Sequence, residues 1–324
     1  MRNFQHQYAF DPSYGYTLES LLRVEPPAEP DDYCDFWQKK YQAVLQTPTQ
    51  LIRTPSALTH ANYHVEDIVF SSSDDSKIGG WLLTPKHEPI TKGVIVGHGY
   101  GGRDSPDFNL PFNNAAVLFL CFYGLSRSRC AGVSDNPAFH VIHNIADREH
   151  YILRNCVQDI WFSASALIQE FPQIAGHLAY SGISFGGGIG AMALAWDNRF
   201  QRAAINVPSF GNQLLRLSLP TTGSGAAVQI YYRNRSEIIK RNITATLQYY
   251  DAALAAKYIK QDLHLALALF DPVVAPPGQF AIYNAATNVA KKLFVLDAGH
   301  FDYPEKNQQE TQLFNELQLF FNGL

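Results

Sequence analysis

The pentapeptide Gly182-Ile183-Ser184-Phe185-Gly186 constrains this chain more than any other feature, because of what surrounds it. A short, mostly apolar run from Ile174 to Gly182 reads as a strand, and the small-residue run Gly187 to Trp196 reads as a helix able to pack closely on a sheet. A serine between two glycines at a strand-to-helix junction is the pattern of a sharp, strained turn. Side chains two residues before and after the serine would collide there, so glycine is the residue type required. The turn lifts the serine hydroxyl clear of the backbone. The fold class expected is α/β, with a doubly wound, mostly parallel sheet covered by helices on both faces.

A serine made nucleophilic in such a turn needs a general base, and the base needs an acid that orients it. Both follow Ser184 in the expected chain order. Lys291 to Leu296 reads as a strand running into Asp297-Ala298-Gly299-His300, which puts His300 at the carboxyl edge of a parallel sheet. Leu263 to Phe270 is a nearly continuous apolar run, as in a strand buried on both faces, and it ends in Asp271-Pro272. Asp297 and Asp302 compete for the acid role. They stand beside His300 in sequence, where reaching back to its ring is harder than reaching across from a neighbouring strand. Ser184, Asp271 and His300 are therefore the candidate catalytic residues.

Negative charge developing on a substrate oxygen calls for preorganised backbone N–H groups. Gly93-Val-Ile-Val-Gly-His98-Gly99-Tyr100-Gly101-Gly102 ends a buried strand in a glycine-rich turn, and the N–H groups of Tyr100 and Phe185 are assigned to this oxyanion hole. His98 precedes the serine, out of order for a catalytic role, and reads as a structural residue satisfied within the turn. The turn lacks both the lysine of a phosphate-binding loop and the glycine spacing of a dinucleotide site. No cofactor is expected.

These segments resemble the acetyl xylan esterase and cephalosporin C deacetylase group, carbohydrate esterase family seven, among the α/β-hydrolases. The resemblance runs from Leu21 to Trp37, through Asp67-Ile-Val-Phe70 and Ile78 to Pro85, to His98-Gly-Tyr-Gly-Gly102. It continues in Asp271 with Pro276-Pro277, in Ala281 to Asn284 and in Gly299-His300. It implies a Ser184, Asp271, His300 triad, removal of short acyl groups, typically acetyl, from sugars or small molecules, and a homo-oligomeric assembly. Two positions depart from the family pattern. Phe185 stands where glutamine is usual after the nucleophile, and Tyr123-Gly124-Leu125 stands where an Arg-Gly-Gln turn is usual. A general carboxylesterase, a serine peptidase-like hydrolase acting on acyl-peptides and a non-catalytic binding protein on the same scaffold are the competing readings. No blade-like repeat of a propeller-bearing peptidase is visible.

With 324 residues, 46% of them hydrophobic, the chain can bury one large core, and it reads as a single domain over 1–324. Residues 1–65 form a lead-in with a helix around Tyr33 to Leu45, and about 208–247 is a cap insertion. Within the cap, Phe210, Leu214, Tyr231 and Tyr232 are candidates to shape a substrate pocket, against the alternative that they fill a helix core. Arg127 and Arg129 are candidates to bind an anionic substrate group, against the alternative that they clamp a loop.

A formal net charge of -4 supplies no basic field, and neither nucleic acid nor acidic membrane is an expected partner; the resemblance implies a small-molecule ester substrate. The amino terminus has no apolar signal-like core and no run approaches a membrane span, so a cytoplasmic location is expected. Cys34, Cys121, Cys130 and Cys156 are few and scattered, as buried thiols rather than disulfides or a metal site. The pairs His60/His64 and His140/His143 lack the cysteines or carboxylates of a metal site and read as surface or interface histidines; no metal is expected.

Overall fold

The computed structural model describes residues 4–324. Nine strands form one sheet in the order β1-β2-β3-β5-β4-β6-β7-β8-β9. They are β1 Ile52–Pro55, β2 Tyr63–Ser71, β3 Lys77–Pro85, β4 Lys92–Gly97, β5 Ala115–Leu120, β6 Leu178–Ile183, β7 Phe200–Asn206, β8 Asp262–Ala268 and β9 Lys291–Leu296. The pairs β1·β2, β2·β3 and β3·β5 are antiparallel, and every pair from β5 through β4 to β9 is parallel. β4 and β5 lie inside the sheet and are buried almost throughout, which is why they appear in sequence as unbroken apolar runs.

Helices cover both faces. On one side Ile152–Glu170 and Phe185–Leu194 pack on the sheet, and Tyr33–Leu45 docks outside them, with Trp37 and Trp161 meeting edge to face at 6.0 Å. Each buried indole keeps a partner: Trp37 Nε1 donates to Tyr249 O at 2.8 Å and Trp161 Nε1 to Ala193 O at 2.9 Å. On the other side Lys306–Asn322 places Phe321 against Phe112, Val94 and Val117.

The lead-in is joined to the sheet rather than set apart from it. β1 and the start of β2 fall within residues 1–65, with Ile52 to Pro55 paired to Val69 to Glu66 as the edge strand. Three helices, Gln213–Arg216, Gly223–Arg233 and Glu237–Tyr249, fill the segment that follows β7. All four cysteines are free; Cys121 and Cys156 are buried, Cys34 and Cys130 half-buried. Among the described residues no helix is long and apolar enough to cross a membrane.

Candidate active site

β6 ends at Ile183 and the next residue, Ser184, has φ 53° and ψ −110°, a conformation that costs a non-glycine residue free energy. Surrounding contacts hold it there. Ser184 N donates to Asn206 O at 2.8 Å, its carbonyl accepts from Gly188 N and Ser209 N, and Gly186 N donates to His98 O at 2.9 Å. The glycine requirement is steric: a Cβ at Gly186 would lie 2.7 to 2.8 Å from the Gly97 carbonyl and 2.8 Å from His98 O. One at Gly182 would lie 2.7 Å from Gly186 O. Because the obstruction is backbone, Gly186→Ala is expected to destabilise by about 1–3 kcal/mol and to displace the serine. Denaturant unfolding that finds the variant as stable as the parent would contradict this packing.

The turns after β8 and β9 bring the two partners to the serine. His300 Nε2 is 2.9 Å from Ser184 Oγ and His300 Nδ1 is 2.8 Å from Asp271 Oδ2. Asp271 is fully buried. Its Oδ1 accepts from the backbone N–H of Val273 and Val274, each at 2.9 Å, and its Oδ2 accepts from Gln279 Nε2 at 3.0 Å as well as from His300. Four donors therefore face this carboxylate and fix its plane. Asp302 instead pairs with Lys306 at 2.7 Å on the exposed surface.

Gln279 is a residue the sequence reading missed. It sits fully buried in the helix Pro276–Ala285, where Nε2 also donates to Val274 O at 2.7 Å and Oε1 accepts from Ala268 N at 2.9 Å. It thus ties the end of β8 to the Asp271 turn. The one signal in the sequence was a buried-helix position occupied by an amide. Gln279→Leu is expected to lower kcat about tenfold with KM little changed, since the acid loses one of the donors that orient it. Steady-state kinetics in which only thermal stability moved would leave Gln279 a purely structural residue.

Beside the serine, neither Tyr100 N–H nor Phe185 N–H is spent on a hydrogen bond among the described residues, and Phe185 is the first residue of its helix, where the N–H has no intrahelical acceptor. The Phe185 side chain is fully buried. It packs on Tyr100 at 4.1 Å between centroids, Phe122 at 5.2 Å and Phe210 at 5.7 Å, so it braces the turn from inside the core.

His98 is saturated as a structural residue. Its Nδ1 donates to Gly99 O at 2.6 Å, its Nε2 accepts from Phe122 N at 3.1 Å, and burial pulls its pKa down to about 4. His140, expected at a surface, is instead fully buried: Nε2 donates to Tyr123 O at 2.8 Å and Nδ1 accepts from Tyr100 O–H at 2.9 Å. One acceptor and one donor within reach satisfy a neutral ring, and burial holds its pKa near 4. His140 thereby positions Tyr100 under the glycine-rich turn. His60 is half-buried and stacks on Phe108 at 4.5 Å.

The candidate pocket residues fall into different places. Phe210 is buried against Phe185 and Arg216, so its ring is spent on packing; Leu214 is half-buried in the short helix that follows. Tyr231 and Tyr232 lie half-buried near the end of Gly223–Arg233, each facing a cation, Arg235 at 3.9 Å and Lys240 at 5.8 Å. Arg127 pairs with Asp67 at 2.9 Å and lies over the Trp81 ring at 4.0 Å, and Arg129 pairs with Asp135 at 2.7 Å. Each arginine thus holds a carboxylate in or beside the loop after β5, as the clamping alternative has it. In the same turn Tyr123 N donates to Asp159, a fully buried carboxyl that burial pushes up to about 7.

A strained serine after β6, a histidine after β9 and an aspartate after β8, on a doubly wound parallel sheet, define the class as an α/β-hydrolase. The model of the acetyl xylan esterase family (AXE1) matches residues 17–319, and the chain belongs to that family; it is a carboxylic ester hydrolase. Among solved structures it is similar to an acetyl xylan esterase from Paenibacillus sp. R4, with TM-score 0.81 and 22% identity over 93% of this chain and 99% of that one. It is also similar to Acetyl Xylan Esterase 1 from Thermoanaerobacterium sp. JW/SL YS485, with TM-score 0.78 and 21% identity over 95% and 99%. An acylaminoacyl peptidase from Pyrococcus horikoshii shares the fold, with TM-score 0.59 and 15% identity over 81% of this chain and 42% of that one.

Proposed function

We propose that this chain hydrolyses short-chain acyl esters, foremost acetyl esters of sugars or small molecules, with Ser184 as nucleophile. The observation that carries the reading is the relay Ser184 Oγ, His300 Nε2 at 2.9 Å, His300 Nδ1, Asp271 Oδ2 at 2.8 Å. His300 takes the proton of Ser184 as its oxygen attacks the ester carbonyl, and Asp271 holds the imidazole in the tautomer that leaves Nε2 free to accept. The unspent N–H groups of Tyr100 and Phe185 stabilise the oxyanion. The proton passes from His300 to the departing alcohol, an acyl-enzyme remains, and water activated by the same histidine releases the acid. The helical segment at 208–247 serves as the cap over this site. A cytoplasmic homo-oligomer completes the reading, and light scattering that returned a 36.2 kDa monomer would remove the assembly.

A panel of acetyl, butyryl and octanoyl esters, with acetylated sugars and cephalosporin C included, tests the acyl class. A steep fall in kcat/KM beyond acetyl is the expected result. Preference for the longer chains would replace the deacetylase reading with that of a general carboxylesterase.

A further inference from the structure

Arg216 is a buried cation without a counter-ion. It is 9% exposed, and among the described residues its guanidinium makes no ion pair. Nη1 donates to Gln213 Oε1 at 2.8 Å, Nε is sealed from solvent with no partner, and Nη2, which is not sealed, makes no hydrogen bond among the described residues. The hydroxyl of Thr221 is likewise buried and unpartnered. These groups face one place. Both lie beside Gly225, where a Cβ would come 2.5 Å from Thr221 Oγ1, too close to fit, and 3.5 Å from Arg216 Nη2, so only glycine lets the two groups stand this near each other.

The guanidinium is held in place rather than left to wander. Its backbone carbonyl accepts from Gln229 Nε2 at 2.7 Å, its head is fixed by Gln213, whose own Nε2 donates to Tyr250 O at 3.0 Å, and it lies over the Phe210 ring at 5.4 Å. Asp251 attracts it at longer range, but the Asp251 carboxylate is occupied by the backbone N–H groups of Asn212, Gln213, Ala253 and Leu254.

Arg216 also stands next to the catalytic turns. Phe210 links it to Phe185 beside the serine, its Cδ is 3.6 Å from the Cβ position of Gly278 in the helix after Asp271, and its charge is felt at the Tyr100 and Tyr14 hydroxyls, of which Tyr14 also feels Asp271. A desolvated guanidinium with unused donors is costly unless an anion completes it, and its planar fork matches a carboxylate.

We propose that Arg216 and Thr221 form an anion-binding subsite beside Ser184, and that the ester hydrolysed here carries a carboxylate. This rests on the serine-hydrolase reading and adds the substrate's charge to it. Arg127 and Arg129, by contrast, already hold carboxylates of their own.

The test uses two isosteric pairs on the purified full chain. One carries the charge on the alcohol side, 3-acetoxybenzoate against 3-acetoxybenzamide; the other carries it on the acyl side, 4-nitrophenyl glutarate against 4-nitrophenyl glutaramate. In at least one pair the carboxylate is expected to be preferred by about 10- to 100-fold in kcat/KM, the range of a charged hydrogen-bonded contact. Arg216→Gln and Arg216→Lys are expected to shrink that ratio, Gln to within about threefold of one. Calorimetric titration of Ser184→Ala with the members of each pair reads the same preference without turnover, and it stands even if the Arg216 variants do not fold. Ratios below about threefold for both pairs, in kinetics and in titration, would overturn the subsite while ester hydrolysis itself remained intact. Absence of turnover for every ester, together with no labelling of Ser184, would instead remove the reading on which it rests.

Discussion

Ser184→Ala is expected to lower kcat for ester hydrolysis by about five to six orders of magnitude while leaving the fold unchanged. The substitution removes one atom, the oxygen that His300 Nε2 meets at 2.9 Å. Alanine keeps the Cβ, and the contacts that fix the turn come from backbone groups of Asn206, Gly188 and Ser209, so φ of 53° is retained at the same cost. What remains is catalysis by oriented amides and binding alone, about 10³- to 10⁴-fold over water in enzymes of this type. Esterase activity surviving at more than about one part in a thousand in homogeneous Ser184→Ala would locate the chemistry elsewhere.

Asp271→Asn should be nearly as damaging, about 10⁴-fold in kcat. The backbone donors at Val273 and Val274 demand an acceptor on one side of the side chain, so the amide oxygen settles there and the NH₂ turns toward His300 Nδ1. An N–H facing Nδ1 forces the proton onto Nε2, and a protonated Nε2 cannot accept from Ser184. Gln279 Nε2 then opposes a second donor, which makes the substitution unfavourable as well as inactivating. Asp302→Asn is the internal control: that carboxylate is exposed and pairs with Lys306, and its loss should change kcat less than about twofold. Equal damage from the two substitutions would contradict the assignment of the acid.

The candidate site was legible in the sequence where it depends on local chemistry. Gly182 and Gly186 are imposed by backbone atoms within the turn's own reach, Asp271 follows β8, whose burial made it a plain apolar run, and His300 follows the shorter apolar stretch of the half-exposed β9. The helix at Tyr33–Leu45 was equally plain, since its apolar residues recur at helical spacing. What stayed hidden depends on partners far along the chain. Gln279 matters through Asp271 and Ala268, and His140 is buried because Tyr100 and Tyr123 supply its hydrogen bonds; neither fact leaves a mark at the residue itself. The edge strand Ile52–Pro55 is mostly exposed and shows no alternation to detect. Arginine at 127 and 129 looked available for an anion because the sequence does not show Asp67 or Asp135 beside it, whereas Arg216, which has no such partner, lay in a segment read only for its aromatic and apolar residues.

The central claim is that Ser184 is the nucleophile, and active-site phosphonylation tests it most directly. A fluorophosphonate applied to the purified chain, followed by intact mass and peptide mapping, should give one adduct per chain on Ser184, with activity lost in step with labelling and no adduct on Ser184→Ala. An adduct on another residue, or continued ester turnover by fully labelled protein, would contradict it.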